Sequence, residues 1–210
     1  FYVEKAYAAG RIPGGFLKRE ARLSDHETLI SRIIDRPLRP AFDENYLAET
    51  LITATVLSHD LIHPSDVAAM NGASAALAIS DIPFHKPLGG IRVGRIDGKF
   101  VRNPSPEELE NSEINIFMAA SKDAILMVEG ESKGVSESIM LDTLWYGQEA
   151  VLPIIEMQED LMKSVGKKKR VVEIPSINSK LKSEVETIAI KKLRQALGIK
   201  DKIDRYNSLE

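Results

Sequence analysis

Gly90-Ile91-Arg92-Val93-Gly94-Arg95-Ile96-Asp97-Gly98-Lys99-Phe100-Val101 is the stretch that decides how this chain folds. Two runs of strand-forming residues flank Asp97-Gly98, and an Asp-Gly pair in that setting is the strongest short-range signal for an antiparallel hairpin. Downstream, residues 114–119 and Ala124-Ile125-Leu126-Met127-Val128-Glu129 read as two further strands about the turn Ser121-Lys122-Asp123. Upstream, Pro64-Ser65-Asp66 opens a helix through about Ser80. It contains the small-residue run Gly72-Ala73-Ser74-Ala75-Ala76, suited to lying close on a sheet; Gly72 costs about 1 kcal/mol against alanine, so a packing reason is expected for it. Before that helix, Leu51-Ile52-Thr53-Ala54-Thr55-Val56-Leu57-Ser58 has the composition of a largely buried strand.

Farther out, apolar residues alternate through Phe1–Lys5 as in a strand, and three glycines with Pro13 mark Gly10–Arg19 as a loop able to approach a ligand. Ser24 and Glu27 fit a capping box ahead of the helical stripe Leu29, Ile30, Ile33 and Ile34, and Pro37 predicts a stop near Arg36. From Ser136 to about Ser164 a helix carries Leu141, Leu144, Trp145, Leu152, Ile155 and Met162 at helical spacing, with Pro153 expected to kink or divide it. Lys167-Lys168-Lys169-Arg170, followed by Pro175, reads as a boundary and a solvated linker; an amphipathic helix over 180–198 and a short one after it follow. The sum is a mixed α/β layer of the α+β class with a helical appendage.

At 210 residues, 43% hydrophobic and 28% charged, the chain has enough apolar side chain for a sizeable core, with no apolar run long enough to span a bilayer. Without cysteine it has neither disulfides nor Cys-ligated metal sites, in keeping with a cytoplasmic location. The net charge of −3 is segregated. Residues 1–40 hold eight Lys/Arg against five Asp/Glu, hence +3, which leaves −6 for the rest. The chain opens without an initiator Met inside a strand-like stretch and reads as a piece of something longer.

Several of these stretches together resemble the first core domain of the polynucleotide phosphorylase family. They are Gly10–Glu20, Ser31-Arg32-Ile33-Ile34-Asp35-Arg36-Pro37-Leu38-Arg39-Pro40, Gly72–Leu77 and Ile82-Pro83-Phe84, continuing through Asn103-Pro104 and Leu126–Glu129. The resemblance implies a ribonuclease-PH-like β-α-β domain (ribosomal protein S5 domain 2-like) over 1–163, short of its N-terminal strands, and the start of an all-helical domain over 164–210. It also implies a phosphate-dependent 3′-to-5′ exoribonuclease and nucleotidyltransferase acting in mRNA degradation, with single-stranded RNA and inorganic phosphate as substrates. A homotrimer, contacts with RNA-degradation machinery and a magnesium site are implied too, the magnesium ligands lying outside this chain, so that the piece alone is expected to be inactive. The alternative is a non-catalytic RNA-binding scaffold subunit.

Phe16-Leu17-Lys18-Arg19 matches the family's channel-constriction loop, in which an aromatic face stacks on any base for about 1–3 kcal/mol while cations neutralise phosphates. Leu17 and Lys18 depart from the ring and guanidinium usual there, which weakens stacking and bidentate contact. Arg22 follows the loop. Arg32 and Arg36 stand one turn apart on a helix face, with Arg39 beyond the proline, a set able to hold phosphates unless Asp35 pairs with one of them. Glu129, Glu131 and Asp142 are carboxylates of unspecific spacing, and His26, His59, His63 and His85 have no zinc or nucleophile spacing.

Overall fold

Asp97 and Gly98 both take positive φ, 49° and 77°, the backbone of a type I′ turn, and join β3 (Gly89–Ile96) to β4 (Lys99–Arg102). This is seen in a computed structural model that describes residues 1–5, 23–60, 62–172 and 178–209. Around the hairpin, β5 (Ile114–Ala120) and β6 (Ile125–Ser132) complete an antiparallel sheet of order β4-β3-β5-β6. A separate parallel pair joins β1 (Tyr2–Glu4) to β2 (Ala54–Val56). The helices are α1 (Asp25–Leu38), α2 (Asp66–Ile79), the short α3 (Pro106–Glu110), α4 (Glu137–Val165), α5 (Ser179–Leu197) and α6 (Lys202–Asn207). Contacts divide the chain into the units Phe1–Val172 and Glu173–Glu210.

The pleat sorts the sheet residues into two cores. Phe117, Ala119 and Met127 face α1 and α2, where they meet Ile30, Ile34, Leu38, Met70 and Leu77; Ile91, Val93, Ile116 and Met118 face Ala150, Val151 and Ile155 of α4. Polar clasps set the start of β3 against the helices. Asn71 accepts from the Gly90 N–H at 2.7 Å and donates to the Gly90 carbonyl at 3.0 Å, and the Ser74 hydroxyl accepts from the Leu88 N–H at 2.8 Å. A Cβ at Gly90 would sit 2.7 Å from Met70 Cγ, so α2 comes close at that glycine. The packing reason expected at Gly72 is not found among the described residues, since a Cβ there would meet nothing within 4 Å.

Four readings of the sequence are corrected. Only Ala54–Val56 of the 51–58 stretch is strand, and it is not deeply buried: its alternate residues Ala54 and Val56 pack on the core while Leu51 and Leu57 are exposed. Helix α1 passes through Pro37 to Leu38, because the proline ring is buried in the last turn and the Arg39 N–H still closes onto the Asp35 carbonyl. Pro153 does not divide α4; it lies on the exposed side near the exposed Glu149, where water can satisfy the carbonyl that it leaves free. The packed face of that helix is Thr143, Gly147, Ala150, Val151, Ile155 and Gln158, whereas Leu141 and Trp145 are exposed.

The basic run 167–170 is docked onto the protein. Lys169 Nζ donates to the carbonyls of Leu77, Ala78 and Ser80, each at 2.8 Å, which satisfies the open end of α2. Arg170 Nε donates to Asp81 at 2.7 Å, and the Lys167 and Arg170 N–H groups donate to Ile79 and Asp81 carbonyls. Inside the first unit, Asp66 is buried and pairs with Arg92, whose Nη1 also donates to Asn115 at 2.6 Å while the guanidinium lies 5.7 Å from the Phe117 ring centre.

Candidate RNA-contact surface

Helix α1 is started by the capping box that the sequence announces. Glu27 Oε2 accepts from the Ser24 N–H at 2.7 Å and hydroxyl at 2.8 Å, while its Oε1 accepts from the Glu4 N–H at 2.8 Å, tying the helix start to β1. Partial burial raises the Glu27 pKa, but these donors outweigh it and hold the carboxyl below its ordinary value of 4.5. A lowered folded pKa means stability that is complete above that ordinary value and is lost as pH falls through the folded one. Glu27→Gln is therefore expected to cost about 1 kcal/mol at pH 7 and to converge with the wild type as the pH falls below that lowered folded value, as read from thermal midpoints on acidification.

From this anchor α1 runs under β6 and presents Arg32 and Arg36 to solvent, with Arg39 exposed at the cap just beyond it. Arg32 and Arg36 are separated by about 6 Å along the axis. Arg32 makes no ion pair among the described residues. Arg36 Nη1 pairs with Glu129 on β6, with the two side chains 52% and 46% exposed. Arg39 forks onto Asp35, Nη2 to Oδ1 at 2.7 Å and Nε to Oδ2 at 3.1 Å, so Asp35 does take one of the arginines. Beside Arg39 lies a cleft of about 590 Å³ whose walls include Leu38, Phe42 and Tyr46, the two rings stacked with centres 5.8 Å apart. Guanidinium groups next to aromatic faces are the side chains that hold a polyanion with flat bases. Phe16, Leu17, Lys18, Arg19 and Arg22 lie outside the described residues.

The carboxylates weighed for a cation are not gathered. Glu129 is engaged with Arg36 on the face of the sheet toward α1, and Asp142 stands on α4 across the sheet. Among the described residues no group of three or more His, Asp or Glu is placed to hold a metal ion. No described helix is long and apolar enough to cross a membrane.

Comparison with known proteins then decides the family. Residues 1–83 match the model of the 3′ exoribonuclease family, domain 1, and residues 86–150 match the model of its domain 2. The chain belongs to the 3′ exoribonuclease family. Within it, the chain is 51% identical over 209 residues to the polyribonucleotide nucleotidyltransferase of Geotalea uraniireducens (strain Rf4) and 50% identical over 209 residues to that of Geotalea daltonii (strain DSM 22248 / JCM 15807 / FRC-32), with 100% of this chain covered each time. It is 50% identical over 208 residues, 99% of its length, to that of Geobacter sulfurreducens (strain ATCC 51573 / DSM 12127 / PCA). This family member spans 30% of the length of each of these relatives. The first family model ends and the second begins between α2 and β3, where Ser74, Asn71 and Gln158 clasp the chain. What sequence reasoning missed in this exoribonuclease-family surface is Glu129: 93 residues from Arg36, it carries no local signal for the pairing.

Proposed function

We propose that this chain is a part of a phosphorolytic 3′-to-5′ exoribonuclease, a polyribonucleotide nucleotidyltransferase, and that its share of the work is to hold single-stranded RNA. In that reaction inorganic phosphate attacks the terminal phosphodiester and releases a nucleoside diphosphate. The observation that carries the reading is the solvent-facing set of Arg32 and Arg36 on α1 and Arg39 just past its end, in a chain about half identical over its length to such enzymes. In this proposal Phe16 offers a ring for stacking, Lys18, Arg19 and Arg22 offer cations for phosphates, and Leu17 a weaker contact beside them. Residues 1–163 form the first ribonuclease-PH-like domain and 164–210 open the helical domain. The whole enzyme would act in the cytoplasm in mRNA degradation, as a homotrimer that uses magnesium bound elsewhere, beside other RNA-degradation proteins.

The test is binding of fluorescein-labelled oligoadenylate to the 210-residue chain at several salt concentrations. Affinity is expected to fall steeply with salt, and Arg32→Ala to weaken binding on any sequence and reduce the salt slope by about 1. Binding that ignores both salt and Arg32 would remove the basis of the proposal.

A further inference from the structure

We propose that Glu129 and Asp35 act as internal stand-ins for RNA phosphates, occupying Arg36 and Arg39 until a strand displaces them; this rests on the RNA-holding role of α1. Carboxylate and phosphate offer a guanidinium the same planar pair of acceptor oxygens. Asp35 takes Arg39 in that forked manner, with oxygens at 2.7 and 3.1 Å, and Glu129 reaches across from β6 to Arg36. Both pairs are open to solvent: the side chains are 52% and 46% exposed for Arg36 and Glu129, and 77% and 51% for Arg39 and Asp35. Pairs so exposed add little to stability, and a phosphate can approach each guanidinium without unpacking anything. The third arginine of the row, Arg32, has no acid opposite it among the described residues.

The arrangement sets the grip. Each phosphate gained by Arg36 or Arg39 is bought with a carboxylate released, so the net gain per contact is small and the strand exchanges readily from one arginine to the next. Among the described residues, Arg32 gives the unopposed contact. An enzyme that moves RNA one nucleotide at a time needs contacts of that kind, sequence-blind and individually weak.

Glu129→Gln is expected to tighten binding of the labelled oligoadenylate to the 210-residue chain by about two- to fivefold, the range that exposed ion pairs set. Glu131→Gln, two residues along the same strand, removes an equal charge that no described cation faces and should change affinity less. In an Arg36→Gln background the Glu129→Gln gain should vanish, because the acid acts through that arginine. Asp35→Asn should behave likewise toward Arg39. Equal effects of Glu129→Gln and Glu131→Gln, or a Glu129→Gln gain that survives Arg36→Gln, would overturn the stand-in role while leaving RNA binding intact. Loss of any effect from Arg36→Gln alone, with Arg32→Ala also silent, would sink the RNA-holding role itself.

Discussion

Asp66→Ala is expected to destabilise the first unit by about 3–5 kcal/mol, since it strands the Arg92 guanidinium in a site with little water. Asp66 is 3% exposed and the Arg92 side chain 16%. Arg92 would keep its bond to Asn115 and its place over the Phe117 ring, but its Nε already has no partner among the described residues. A drop in the urea midpoint at constant slope checks the expectation. Replacing both partners, Asp66→Leu with Arg92→Met, should recover most of the loss, as an apolar pair of similar volume leaves no buried charge. A single-mutant cost under about 1 kcal/mol would mean that the pair is as dispensable as a surface one.

Gly130→Ala should cost at least about 3 kcal/mol, because the conflict is with backbone and not with a side chain able to swing away. An added Cβ would lie 2.1 Å from the Asn115 carbonyl oxygen and 2.7 Å from Ile116 Cα on the neighbouring strand. The strand β6 would have to part from β5 about the Ile116–Gly130 pairing and take Glu129 with it. Hydrogen exchange at the β6 amides is the direct readout, and unchanged protection there would refute the expectation. The same substitution at Gly72 should have the opposite sign, a gain of up to about 1 kcal/mol, since that helical position faces open space.

Local rules carried much of the fold in the sequence, and non-local ones did not. The Ser24–Glu27 box and the Asp97-Gly98 turn are made by residues within a few positions of one another, so their chemistry is written in one place. Ser105 and Glu108 form a second capping box at α3, an equally local signal. The packed side of α4 is hidden from hydrophobicity because Gly147 and Ala150 make the contact through smallness: a Cβ on Gly147 would fall 2.0 Å from Met118 Sδ. Trp145 and Leu141, the residues that hydrophobicity nominates, face outward. At the candidate site, the helix that displays Arg32 and Arg36, with Arg39 past its proline, was legible from spacing, and so was the choice of Asp35 as a competitor. The partner of Arg36 was not, since strand register alone brings Glu129 to it.

The docked run at 167–170 divides the chain's cations by occupation. Lys169 is turned to a helix end, and the exposed Arg170 is paired with the Asp81 carboxylate. The sequence's surplus of positive charge lies at the opposite end, in the first forty residues with their +3, and that is the part of the chain whose charge favours a polyanion. Of four consecutive bases, the densest cluster in the chain, Lys169 and Arg170 serve as mortar, and the sparser arginines of the first forty residues are what a passing strand would feel.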